Sequence, residues 1–370
     1  MKRCARCLYP DTKPDLFFDD EGVCSACRAF EKRASVDWSK RLGELKAILA
    51  KHDGRCIVPS SGGKDSHYQV LRLIELGAKP IVVTAATCHV TEIGRRNIDN
   101  LARYATTIEV TPNRAVRAKL NRIALRLVGD PSWPEHVAIH RLPFKVAEAL
   151  SIPLIFYGEC PQNQYGGPPG TEDNRVMTQR WASEFAGFLG LRAQDFAGME
   201  GITARDMEDY MAPGDEELAA SGVTAYFLGQ FEEWDSERNA RVALEYGFTC
   251  RLPSPANWWL AENQDNTQTS LHDFIMYCKY GYGRCAAQLS VDIRRGKITR
   301  ADAAKIAIER DGLFPSNYMG VPIAVTLERI GLTPEQFVAT CNEFLNRDLF
   351  DGDVIVGERP RMKSGALRAA

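Results

Sequence analysis

Ser61-Gly62-Gly63-Lys64-Asp65-Ser66 follows the apolar run Cys56-Ile57-Val58 and precedes a helical pattern from His67 to Leu76. A strand, a glycine-rich turn and a helix start, in that order, gather backbone N–H groups and the positive end of a helix dipole around one point, the arrangement that holds phosphate. The stretch does not fit a Walker A loop. G-x-x-x-x-G-K-[ST] would need glycine where Val58 stands and Ser or Thr where Asp65 stands, so both ends fail.

Working outward, strands are expected at Cys56 to Pro59, Pro80 to Ala85, Thr106 to Val110 and Pro153 to Tyr157, with helical patterns between them at Asp65 to Gly77, Ile93 to Tyr104, Arg114 to Val128 and Val137 to Leu150. Strands and helices alternating at that length predict an α/β fold built on a doubly wound parallel sheet. Ligands of such sheets sit beyond the carboxyl ends of the strands. The turn at 60–66, the segment after Ala85 and the segment after Tyr157 therefore share one rim. The last of these, from Gly158 through Glu159, Cys160 and Pro161 to Gly170, is dense in Gly and Pro. That composition argues against a helix, and its amides and single carboxylate suit a substrate loop.

The chain has 370 residues, 45% hydrophobic and 25% charged, which fits a globular protein with one large or two medium cores. A net charge of −2 provides no broad basic field, so an extended nucleic-acid surface is not expected. No apolar stretch is long enough to span a bilayer and Met1-Lys2-Arg3 runs straight into cysteines, so the expectation is a cytoplasmic protein without a membrane partner.

Cys4, Cys7, Cys24 and Cys27 form C-x2-C-x16-C-x2-C, the spacing of a four-thiolate zinc ribbon. In a reducing compartment this pattern favours structural Zn²⁺ over an iron–sulfur cluster or unligated thiols. The other seven cysteines lie among apolar neighbours, and most of them read as small core residues. A linker helix is expected from Trp38 to Lys51. From about Asn174 the pattern turns mostly helical, with helices at Ser270 to Tyr280, Arg284 to Arg295, Thr299 to Arg310 and Thr333 to Leu345. Thr333-Pro334-Glu335-Gln336 is a capping box with proline at the first helical position. The expected division is a ribbon at 1–35, an α/β domain at 36–190, a mostly helical region at 191–358 and a frayed basic tail at 359–370.

SGGKDS resembles the PP-loop of the ATP pyrophosphatase superfamily, whose members cleave ATP between the α and β phosphates. Three further segments narrow the resemblance: Gly158-Glu159 with Tyr165-Gly166-Gly167; Phe231 to Asn239 with Tyr246-Gly247-Phe248; and Lys279 to Arg284 with Asp292 to Thr299. Together with the ribbon, these resemble the N-acetyl sugar amidotransferases of bacterial surface-polysaccharide and nonulosonic-acid pathways over nearly the whole chain. Family members commonly carry Asn and Glu where this chain has Cys160 and Gln164, which bears on the sugar recognised and on any acid–base role for the loop.

The resemblance implies ATP and Mg²⁺ as cofactors beside Zn²⁺. It implies an acetamido oxygen adenylated by ATP and then replaced by ammonia, giving an acetamidino group, AMP and pyrophosphate. Ser60, Ser61, Gly62, Gly63, Lys64, Asp65, Ser66 and Gly158 would hold the nucleotide, with Lys64, Asp65 and Glu159 catalytic. Asp65 would bind Mg²⁺ or order the turn. Asn97, His136, Gln162, Asn163, Tyr165, Gly166, Trp234 and Arg284 are candidate substrate contacts. Asp235, Arg238 and Tyr280 could help cap the site. A bland reading stands beside each: Trp234 as core, Asn97 on an exposed helix face, His136 as a helix cap.

The chain starts Met-Lys, without the N-terminal cysteine nucleophile of one glutaminase class, and has no cysteine elbow of the other. The resemblance implies ammonia from a separate glutaminase with a barrel subunit similar to those of imidazole glycerol phosphate synthase. Two rival readings remain. One is a tRNA-thiolating or other sulfur-transferring PP-loop enzyme, which needs a catalytic cysteine near the turn, Cys160 being the candidate. The other is a zinc-ribbon scaffold without catalysis.

Overall fold

β1 (Arg55–Pro59), the strand that enters the glycine-rich turn, lies in the middle of a five-stranded sheet with β2 (Lys79–Ala85), β3 (Thr106–Val110), β4 (Leu154–Tyr157) and β5 (Thr224–Phe227). This computed structural model describes residues 1–87, 89–167, 173–178, 181, 187–211, 215–251 and 256–364. The sheet order is β3-β2-β1-β4-β5 and every pairing is parallel, with Ile57 opposite both Ile81 and Ile155. A central strand covered on both faces reads as an unbroken apolar run, and Cys56, Ile57 and Val58 are all fully buried. Alternation along β1 divides them between two cores. Ile57 packs with Val83, Leu120, Trp133, Ile155 and Phe227. Cys56 and Val58 pack on the other face with Leu73, Val82, Phe156 and Trp234.

The chain builds outward from β1 to β3 and then crosses back to β4. The strand order therefore reverses between β1 and β4, and a crevice opens at their carboxyl ends. Helices α1 (Ser25–Lys32), α2 (Trp38–Lys51), α3 (Lys64–Glu75), α4 (Glu92–Leu101), α5 (Arg114–Val128) and α6 (Trp133–Ala149) match or extend the sequence patterns, α1 being an addition within the ribbon. In the C-terminal region the helices Thr269–Tyr280, Arg284–Arg294, Arg300–Arg310 and Pro334–Glu343 fall where expected, and Thr333 and Gln336 form the reciprocal capping box. The first and last of these pack in a core around Leu271, Phe274, Leu327, Phe337 and Phe350, while Arg284–Arg294 and Arg300–Arg310 pack against the N-terminal ribbon through Cys285, Leu289, Ala303 and Ala307.

Three expectations are corrected. β5 lies beyond position 190, in the segment expected to be mostly helical, so the sheet extends into that segment. The loop after β4 holds a short helix, α7 (Pro161–Tyr165), despite its composition. Pro161 occupies the first helical position, where its missing N–H costs nothing, and the glycines begin only at Gly166. The tail is not frayed throughout: Arg361–Met362 pairs antiparallel with Phe350–Asp351, and the Arg359 guanidinium donates to the Asp311 carbonyl. Residues 365–370 of the tail lie outside the described residues.

Candidate active site

Ser60 N–H donates to the Val83 carbonyl at 2.9 Å, carrying sheet bonding one residue past β1, and Ser60 Oγ accepts from Gly62 N–H at 3.0 Å. Gly62 has φ +82°, and a Cβ there would fall 2.7 Å from Ile98 Cγ1. Both conformation and space therefore demand glycine. Gly63 is the N-cap of α3 and offers no side-chain acceptor to the first turn, which leaves those N–H groups for an anion. Ser61 is exposed and hydrogen-bonds Asp265, and Ser66 is half-buried in the first turn.

Lys64 is the first residue of α3 and only 3% exposed. Its ammonium pairs with Asp65 and, at 2.7 Å, with Glu262. Burial alone would lower its pKa, but the two carboxylates outweigh burial and raise it, so the side chain stays charged. Asp65 accepts a second bond from Asn239 Nδ2 at 2.8 Å, which ties the turn to the helix Ser236–Glu245.

Glu159 leaves the end of β4 on the far side of the crevice. Burial chiefly, then the nearby Asp65 carboxylate, pushes its pKa up to about 7 against the opposing pull of Lys64. Burial and Glu159 likewise raise the Tyr165 phenol. Arg284 donates to Asp273 Oδ1 through Nε at 3.1 Å and Nη2 at 2.7 Å. It lies within electrostatic reach of Tyr165 and Glu262. Lys64, Asp65, Glu159, Tyr165 and Arg284 thus converge on one centre.

His136 stands at the edge of that centre. Its Nδ1 is 3.3 Å from the Gly187 carbonyl, and its ring meets His272 edge-on at 5.7 Å. His272 Nδ1 lies 3.0 Å from both Asp130 oxygens, and Asp130 raises the imidazole pKa against the effect of burial. Arg284 acts electrostatically on both histidines.

Other candidates serve the framework. Trp234 is 1% exposed, meets Tyr68 edge-on at 5.7 Å, and packs so closely under Gly158 that a Cβ there would fall 3.0 Å from its ring. It shapes the crevice floor from below, without a face for substrate. Asn97 is 2% exposed and spends both ends of its amide on the Thr249 backbone, at 2.8 Å each. Asp235 caps the helix Ser236–Glu245, and Arg238 lies over the Tyr68 ring. Gln162 is 4% exposed and accepts from the Cys160 thiol at 3.1 Å. The side chain of Asn163 lies outside the described residues. Gly166, at φ +87°, presses on the ribbon: a Cβ would fall 2.8 Å from Leu16 Cδ1.

Glu262, Asp265, Asn239, Asp273 and the Asp130–His272 pair belong to the site and were not found by sequence reasoning. Their segments lack a phosphate-type turn or a fixed spacing, so only folding brings them here.

The Sγ atoms of Cys4, Cys7, Cys24 and Cys27 all lie within 4.8 Å of one another and all four residues are buried. Cys4 and Cys27 sulfurs are 3.9 Å apart and Cys7 and Cys24 sulfurs 3.6 Å apart. A tetrahedron of zinc–thiolate bonds needs about 3.8 Å between sulfurs, so the four residues fit Zn²⁺. Among the described residues no helix is long and apolar enough to cross a membrane.

Solved structures similar to the chain include a predicted subunit of tRNA methyltransferase from Methanocaldococcus jannaschii, at 15% identity, 45% of this chain, 75% of that one and a TM-score of 0.24. Another is the NAD+ synthetase of Burkholderia pseudomallei, at 17% identity, 62% of this chain, 88% of that one and a TM-score of 0.25. Scores this low leave the fold argument to the sheet itself. No curated protein matches the chain. Residues 246–361 match the family described as LPS biosynthesis protein WbpG-like, C-terminal domain. That segment supplies Glu262, Asp273 and Arg284 to the centre, and its match to the WbpG-like C-terminal domain supports the surface-polysaccharide family to which the sequence motifs point.

Proposed function

We propose that the protein is an ATP-dependent amidotransferase of LPS biosynthesis that converts an acetamido group of a nucleotide-linked sugar into an acetamidino group. The observation that carries this reading is the pairing, across one crevice, of a glycine turn and buried Lys64 with a carboxyl group at Glu159 whose pKa is about 7. The match of residues 246–361 to an LPS biosynthesis domain supports the substrate class.

The reaction balances as follows. The acetamido oxygen forms a bond to the α-phosphorus of ATP, and the bond to the β-phosphate oxygen breaks, releasing pyrophosphate. The first-turn N–H groups of α3 and the Lys64 ammonium take up the charge on that leaving group. Ammonia then adds to the activated carbon, a proton leaves the nitrogen, and AMP departs with the former carbonyl oxygen. Glu159 suits the proton transfer because an acid–base group works best with a pKa near the working pH. Mg²⁺ would supply charge neutralisation on the phosphates, and Asp65, facing the turn, offers the hard oxygen ligand it favours.

In this reading ammonia comes from a separate glutaminase with a barrel partner. The sulfur-transfer alternative needs an accessible thiol. Cys160 is 1% exposed and donates to Gln162 Oε1, which weakens that case. The test is release of AMP and pyrophosphate from ATP in the presence of Mg²⁺ and ammonium. Release that depends on both an acetamido sugar and ammonium is expected. Release dependent on tRNA and a sulfur donor would replace this reading with the rival.

A further inference from the structure

The loop at 256–266 is pinned across the rim of the crevice. Thr91 N–H donates to the Asp265 carbonyl at 2.8 Å, Thr91 Oγ1 donates to the Gln264 carbonyl, and Val90 bridges to Asn266. Gly94 admits this approach, since a Cβ there would fall 2.7 Å from Asp265 Cα. Two side chains of the loop engage the glycine-rich turn directly: Glu262 pairs with Lys64 at 2.7 Å, and Asp265 hydrogen-bonds Ser61. A third, Trp259, lies beside them, its ring centre 5.9 Å from Lys64 Nζ.

Trp259 is fixed there by its polar atoms and not by apolar packing. Its backbone N–H donates to Gln288 Oε1 at 3.0 Å and its Nε1–H to Asp292 Oδ2 at 2.9 Å, both acceptors being buried residues of the helix Arg284–Arg294. The neighbouring Trp258 uses the same two acceptors but packs with the ribbon core, under the Arg310 guanidinium. Trp259 joins none of the apolar cores among the described residues and is only half-buried. An indole held rigid, with both N–H groups spent and no place in a core, has its ring face to offer a ligand.

A flat aromatic face beside a carboxylate suits a sugar ring, which carries C–H groups on one side and hydroxyl donors around its edge. Glu262, its side chain 23% exposed, supplies the carboxylate. Adenine fits this place less well. The reaction proposed above brings the acetamido oxygen to the α-phosphorus, one phosphate from the leaving group that Lys64 opposes, whereas the base of ATP stands off behind the ribose. We propose that Trp259 is the platform for the acceptor sugar. The C–H face of the pyranose packs on the indole and a ring hydroxyl donates to Glu262, which sets the acetamido oxygen toward the α-phosphorus. The choice of a sugar rests on the function proposed above, whereas the platform itself does not.

The test is saturation-transfer NMR of the full chain with N-acetylglucosamine, with the affinity for a non-hydrolysable ATP analogue measured alongside. Saturation is expected on the ring C–H protons as well as the acetyl methyl; transfer confined to the methyl, or none, would overturn the platform. Trp259→Leu should weaken sugar binding about fivefold or more and change the ATP-analogue affinity less than about twofold. Trp259→Phe loses the Asp292 bond as the leucine variant does but keeps a ring, so it should retain most of the sugar affinity. Trp258 still holds Asp292 in both. Native sugar binding by a folded Trp259→Leu, an equal loss in the two variants, or a loss confined to the ATP analogue would each overturn the assignment. Should the leucine variant fail to fold, the saturation pattern of the native protein still decides. AMP release by the native protein is measured separately. Its absence, with sugar binding as predicted, would sink the reaction and leave the platform standing.

Discussion

Lys64, at the start of α3 after β1, and Glu159, just beyond β4, stand where the sheet order reverses, and their environments set opposite tasks. Two carboxylates keep Lys64 cationic, so it can oppose the charge that grows on a leaving pyrophosphate. Lys64→Met should lower the ATP-dependent rate about 100-fold or more while nucleotide binding falls less, read from kcat and KM separately. Glu159 makes a pH prediction. Its folded pKa of about 7 lies above the ordinary 4.5, so folding favours the protonated form. That stabilisation is complete below about pH 4.5 and is lost as pH rises through about 7. Glu159→Gln should therefore unfold at higher denaturant than the native protein at pH 8, with the margin closing toward pH 4. Activity of the native protein should rise through neutral pH, and the variant should lose that limb. Asp65 and Glu159 were legible because they stand in or beside a glycine-rich break after an apolar run. Glu262 was not, because Ala261-Glu262-Asn263 carries no periodicity or spacing that separates it from a solvated loop.

At the scale of elements, the zinc ribbon and the substrate loop are packed together. Gly166 abuts Leu16 and Ala26 of the ribbon. Arg294 lies over the Tyr9 ring and donates to the Gln164 carbonyl at 2.5 Å, joining the ribbon to the end of α7. Arg300 donates to the Cys4 and Cys7 carbonyls at 3.1 Å each. Structural zinc contributes on the order of 10–16 kcal/mol to finger peptides, so metal removal should reach beyond the ribbon. The native chain should hold one zinc. A strong chelator should lower its melting temperature and strip hydrogen-exchange protection from 161–167; protection unchanged after zinc release would refute this coupling. The ribbon was legible from four cysteines alone. α7 and β5 were not, since one is a single turn hidden among Gly and Pro and the other is four residues, Thr224-Ala225-Tyr226-Phe227, too short to show a period.

For the whole molecule, the site belongs to no single segment. The α/β part provides the turn and Glu159, and the segment matching the WbpG-like domain provides Arg284 and Glu262, which holds Lys64. Glu262→Gln should loosen Lys64 without touching the turn. Expected are a several-fold weaker response of ATP turnover to the acetamido sugar and a smaller change in ATP affinity, measured by titrating each substrate in turn. Alternating strands and helices made the sheet legible. The closure of the site by distant segments was not, because it depends on packing between residues some two hundred positions apart.

The central claim is that the acetamido oxygen itself attacks ATP. The most direct measurement incubates the full chain with ATP, Mg²⁺, ammonium and acetamido sugars whose carbonyl oxygens carry the heavy isotope, followed by mass spectrometry of the released AMP. The account predicts label in the AMP phosphate, matched by sugar in which one oxygen has become NH. Unlabelled AMP from a reaction that still makes the acetamidino sugar would contradict it.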